Sequence, residues 1–198
     1  MDVMKKILLV AFCLSINGLC FGQNAEAQKQ INDVKFFGVD FSLAKTYGVD
    51  ETMTQFSEAF GRINGLFISE AKKYDIAKYF KKNVTGTFVS QIAEVNESIT
   101  GDTFFGESET YQISDAELAQ KIQSLPLKET EGTGLIFVAE LLNKARNQTA
   151  YYIVFFDIAS RDILDSWSAT GKAKGFGLRN YWAGSIMNIL ENIRIKKN

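Results

Sequence analysis

The stretch "TGLIFVAELLNKARNQTAYYIVFFDIASRDILDSWSAT", residues 133–170, decides the fold. It holds three runs rich in β-branched and aromatic residues: 133–143, 149–158 and 161–170. The links between them, "KARNQ" and "AS" with its flanks, are short, so consecutive antiparallel strands in a meander are expected. The middle run is apolar on both faces, with Tyr151, Ile153 and Phe155 on one and Tyr152, Val154 and Phe156 on the other. Such a strand belongs inside a sheet. The third run alternates Ile163, Asp165 and Trp167 against Leu164, Ser166 and Ser168, which places it nearer an edge.

Upstream, "VKFFGVDFSLAK" (34–45) reads as a further strand, with Phe37, Val39, Phe41 and Leu43 on one face and Val34 and Phe36 on the other. Met53, Phe56, Phe60, Ile63 and Phe67 then recur at helical spacing, and Asp50 or Thr52 can cap that helix. Thr52 with Gln55, and Ser114 with Glu117, fit the capping-box spacing. "VTGTF" (84–88) suits a short strand. Residues 100–112 read as a loop, and Leu118 and Ile122 carry the buried face of the helix after Ser114. Leu178, Trp182, Ile186, Ile189 or Leu190, and Ile193 predict a C-terminal amphipathic helix that ends in "RIKKN", whose cations suit the negative end of its dipole. The expected fold is one α/β (α+β) domain over 33–198. It has a mixed, largely antiparallel sheet flanked by helices.

The first residues carry an address. Lys5 and Lys6 precede an apolar run from Ile7 to Ile16, about the length of a signal-peptide core and short of the roughly 20 residues that span a bilayer. Residues 1–22 are expected to be a signal peptide, with small residues placing the cut before Gln23 or before Gln28, and 23–32 a flexible lead-in. Leu19 stands before Cys20 and Asn17 three places before it. This is not the pattern of a lipid-anchored cysteine, so the expected product is exported and soluble in the periplasm or outside the cell. Both cysteines, Cys13 and Cys20, lie within the segment to be removed.

The mature chain would carry 20 basic and 22 acidic residues. That balance offers no electrostatic footprint for nucleic acid. The chain has no histidine. His-based general catalysis, Ser-His-Asp and Cys-His nucleophiles, and the common zinc, copper and iron ligand sets are therefore closed to it. No cofactor is expected.

Three sets of residues could still form a site. "GKAKGFGLRNYWAG" (171–184) lacks the upstream glycine and the Ser/Thr of a P-loop, and Asn180 stands where a dinucleotide loop needs its third glycine. Gly175 and Gly177 suit a turn from sheet to helix, and Trp182 suits the buried stripe of that helix. Lys172, Lys174 and Arg179, with Tyr181, gather at a helix start where cations are disfavoured unless an anion is near. They are the candidate site for an anionic ligand or partner. Asp40 and Glu140 fall within strands and need partners if they point inward. As a close pair they would suit a carboxylate-based glycan hydrolase. The strand aromatics and Tyr181 offer a third surface, for glycans.

"AYYIVFFDIASRDILDSWSATGKAKGFGLRNYWAGSI" resembles exported Bacteroidetes-type proteins of unknown function. The order of elements is also loosely similar to the α/β domains of envelope lipoproteins: the curli-secretion channel, the penicillin-binding-protein activators and the N-terminal domain of TolB. The resemblance implies an accessory or binding role in the cell envelope, with an envelope protein or an anionic or glycan polymer as partner.

Overall fold

The computed structural model describes residues 25–193. The expected signal peptide and both cysteines lie outside them. The elements run α1 (Ala25–Gln30), β1 (Asp33–Asp40), β2 (Lys45–Tyr47), α2 (Met53–Ser69), α3 (Ile76–Phe80), β3 (Asn83–Thr87), a 3₁₀ turn (Val89–Ile92), α4 (Ala93–Glu97), α5 (Gly101–Phe104), α6 (Asp115–Gln123), β4 (Thr133–Asn143), β5 (Gln148–Asp157), β6 (Ile163–Lys172) and α7 (Leu178–Asn192).

The sheet order is β3-β1-β4-β5-β6, with β2 pairing the far end of β4. The meander β4–β5–β6 supplies the two long antiparallel ladders, and the short pairings of β1, β2 and β3 are parallel. As the doubled apolar pattern demands, β5 is internal and buries both faces. Tyr151, Ile153 and Phe155 enter the larger core with α2, α3 and α7, whereas Val154 and Phe156 enter a second core under α6.

Both capping boxes form. At α2, the Gln55 N–H donates to Thr52 Oγ1, and the Gln55 side chain accepts from the Thr52 N–H. At α6, the Glu117 N–H donates to Ser114 Oγ at 3.2 Å and Glu117 Oε2 accepts the Ser114 N–H at 2.8 Å. Ser114→Ala should lower stability by about 1 kcal/mol, the usual worth of such a cap, read as a shift in the urea midpoint at unchanged slope.

Five boundaries differ from the sequence reading, the first being the loop read over 100–112, which contains α5 (Gly101–Phe104). The strand read over 34–45 breaks at a turn closed by the Ala44 N–H on Phe41 O, and its end returns as β2 alongside Leu141–Asn143. The third meander strand runs on to Lys172, because Gly171 and Lys172 keep pairing with Thr149 and Gln148. The lead-in read as loose contains α1, whose Gln28 is buried and donates to Asp165 Oδ2 at 2.7 Å. Helix α7 stops at Asn192, since Ile193 is extended (ψ 111°). Residues 194–198 of "RIKKN" lie outside the described residues.

The chain between sheet and α7 answers the question its glycines raise. Gly175 (φ 135°) and Gly177 (φ 78°) adopt the left-handed backbone expected of the turn. Trp182 is fully buried, as its place on the stripe predicted. Gly171 and Gly184 do something else. A Cβ on Gly171 would overlap the Ser185 carbonyl, and one on Gly184 would overlap that of Lys174. The two glycines let α7 lie directly on β6 and the residues just beyond it.

Candidate functional site

The expected cationic cluster divides in space. Lys172 sits on β6, one residue beyond Gly171, so the alternation of the strand turns its side chain to the face opposite α7. Its N–H donates to Asn188 Oδ1 at 2.9 Å. Lys174 is exposed, and its backbone N–H closes onto Tyr181 O. Arg179 is half-buried and donates twice to Asn180 Oδ1, at 3.0 and 2.8 Å. It shares a shallow groove with Glu58 and Arg62 of α2 and with Phe176, which is 95% exposed. Tyr181 donates its phenol proton to Asn147 Oδ1 at 2.6 Å, near the Lys144–Glu51 ion pair. Lys174 and Arg179 thus share the α7 side of the sheet, and Lys172 does not join them.

The strand aromatics fill cores rather than a surface. Tyr151, Phe155 and Phe156 have no exposure, and Trp167 stacks on Phe155 at 5.9 Å. Burial pushes the Tyr151 phenol up to about 12. Only Tyr152 and Tyr181 of the expected set keep partial exposure beside Trp167.

The two strand carboxylates both turn inward, and each has its own partner. Asp40 is fully buried; its Oδ1 accepts the Ser42 N–H at 2.8 Å and its Oδ2 lies 3.9 Å from Lys121 Nζ on α6. Glu140 is only 5% exposed, and its Oε2 accepts the Ile113 N–H at 2.9 Å. A local irregularity puts it there. Tyr151 pairs with Ala139 and Ala150 pairs with Leu141, so Glu140 is the extra residue of a β-bulge, a device that re-aims a side chain. The bulge falls where β4 changes parallel neighbour, from β1 at Val138 to β2 at Leu141.

Glu140 lines an open groove of about 640 Å³. The floor is the bare end of the meander: Asn143, Gln148, Ala150, Ser168 and Thr170. The wall is the loop Glu109–Gln112, fixed by the Asn143 amide on Glu109 O (3.0 Å) and by the Arg146–Glu109 ion pair (3.0 Å). Asp40 does not line this groove. The second acid that does, Glu109, is bound to Arg146. Among the described residues no group of His, Cys, Asp or Glu could hold a metal ion, and no helix is long and apolar enough to cross a membrane.

Burial raises the Glu140 pKa, and the Ile113 N–H only partly offsets this. The fold therefore favours the protonated carboxyl. The stability this confers is complete below the unfolded carboxyl value of about 4.3 and is lost as pH rises through the raised folded value. Glu140→Gln, which keeps an acceptor for Ile113 and carries no charge, should match the wild-type Tm near pH 4. It should exceed that Tm by a margin that grows toward pH 8, followed by thermal melts across that range.

No protein-family profile matches the chain, and no curated protein matches it. Among solved structures there is a loose likeness to the C-terminal domain of LpoB from Salmonella enterica, at a TM-score of 0.28 and 11% identity. It covers 75% of this chain and 95% of that one. No function is carried across a likeness of that size.

Proposed function

We propose that the protein is an exported binding or accessory protein of the bacterial cell envelope, and that its partner lies in the groove over the end of β4–β6. The observation that carries the reading is the bare sheet face itself. Helices α2, α3 and α7 pack on one face of the sheet and α6 on the other, yet here Gln148, Ser168 and Thr170 stay exposed beneath a fixed loop. Small polar groups around an opening of this size suit a hydrogen-bonding ligand. Export rests on the N-terminal pattern of Lys5, Lys6 and the apolar run after them.

Binding fits the groove better than hydrolysis does. A glycosidase needs two free carboxyls flanking the bond. Glu140 lines the opening, Asp40 is sealed under α6, and Glu109 is engaged by Arg146.

Co-sedimentation of the purified mature chain with isolated cell-wall polymer and with washed envelope membranes tests the reading. Thr170→Trp, on the exposed floor, should weaken sedimentation at least tenfold. The double variant Lys174→Ala, Arg179→Ala, on the α7 side of the sheet, should sediment as wild type. The reverse pattern would move the interface to the cations at the start of α7 and overturn the groove.

A further inference from the structure

We infer that the groove selects a ligand bearing an aliphatic primary ammonium group, and that Glu140 is the residue that receives it. The inference rests on the groove being the binding site. Two independent observations lead to it.

The first is the state of Glu140. It is more than nine-tenths buried and lines the groove, and only Oε2 has a hydrogen bond to a described residue. That leaves Oε1 as the oxygen a groove ligand would meet. A carboxylate held this way is under-solvated and gains from a cation that reaches it.

The second is the charge of the wall. From Asn83 to Gln120 the chain holds seven acidic residues and no lysine or arginine. Of the seven, Glu109 lines the groove, and Asp115 and Glu117, in the first turn of α6, lie close enough to act on Tyr152 and on the groove residue Tyr111. Tyr111 and Tyr152 share the surroundings of Glu140: burial first pushes both phenols up, and negative charge adds to it, from Glu117 and Glu140 at Tyr111 and from Glu140 and Asp115 at Tyr152. The cations of the wall side are engaged, and Lys172, exposed on the same face of β6 as Thr170 and opposite Gln148, stands at the outer end of the floor. Arg146 is paired with Glu109, and the Lys45 ammonium donates to Thr103 O and lies 5.7 Å from the centre of the Tyr111 ring.

The geometry also selects among cations. A guanidinium seeks two carboxylate oxygens at once, and Ile113 already holds one of them. A divalent ion needs several oxygen ligands, and no such group is assembled among the described residues. A single free oxygen suits a compact ammonium. Gln148, Ser168 and Thr170 then face the neutral remainder of the ligand.

Such an ammonium can come from an amino sugar or from a lysine-type side chain, and the test separates the two. Calorimetric titrations at pH 7 would use a glucosamine tetramer and a lysine tripeptide blocked at both ends, each beside its N-acetylated counterpart. The expected result is binding of at least one free amine, weakened tenfold or more by acetylation. Glu140→Gln should weaken it by the same factor while raising the Tm of the free protein. Binding that survives acetylation or Glu140→Gln, or no binding by any of the four probes, would overturn the ammonium assignment. Wall-polymer sedimentation lost in Thr170→Trp under that outcome would leave the groove standing. Unchanged sedimentation there would remove the groove as well.

Discussion

Gly171→Ala is expected to cost about 3 kcal/mol or more, at the upper end of what overpacking a tight contact does. The new methyl would overlap the Ser185 carbonyl, a backbone atom with no rotamer through which to yield, and would also press on Ile189 at 2.9 Å. Helix α7 must then lift from β6. Trp182, Ile186, Ile189 and Leu190, all buried against the larger core, would lose packing together. Gly184→Ala should behave alike, since its Cβ would meet the Lys174 carbonyl. Gly61 and Gly65 on α2 provide the control. No atom lies within 4 Å of a Cβ at either place. Alanine there should raise stability by about 0.5–1 kcal/mol through helix propensity alone. Urea unfolding of the four single variants reads the contrast.

Asn64→Leu is the second large effect, also about 3 kcal/mol. Beyond Phe36, β1 has lost its neighbour β3, and two buried asparagines take the place of the missing strand. Asn64 Oδ1 accepts the Val39 N–H at 2.8 Å and its Nδ2 donates to Val39 O at 2.9 Å. Asn96 Oδ1 accepts the Phe41 N–H at 2.7 Å and its Nδ2 also donates to Val39 O. Leucine fills the volume but leaves the Val39 N–H buried without an acceptor, and an orphaned group of that kind costs roughly 1–3 kcal/mol on top of the bonds lost. The Val39 carbonyl keeps Asn96, which limits the damage. Asn64→Asp, which retains the acceptor but not the donor, should fall between wild type and leucine at neutral pH.

How much of this was legible in the sequence follows from how local each signal is. The doubled apolar pattern of 151–156 fixed an internal strand, and Thr52–Gln55 and Ser114–Glu117 fixed two helix starts, because each depends on neighbours within one turn or one strand. Asn64 was half legible. It lies four residues after Phe60 and three before Phe67, on the buried stripe of α2, but its partner at Val39 is a tertiary fact. The bulge at Glu140 and the three-residue β2 leave no local trace, since both arise from where β1 departs from β4. The charges of 171–184 are close in sequence but divided in space: one residue of strand alternation sends Lys172 to the other face. Asp40 and Glu140 were correctly expected to need partners, which turned out to be Lys121 with the Ser42 N–H, and the Ile113 N–H.

The central claim is that the partner occupies the groove beside Glu140. The most direct measurement is amide chemical-shift mapping of the isotope-labelled mature chain during titration with soluble cell-wall fragments. Shifts are expected at 109–113, 140–143, 148–150 and 168–170, and should be absent from Glu140→Gln when the fragments carry free amines. Shifts confined to 174–181, with 140–143 and 168–170 unmoved, would contradict it.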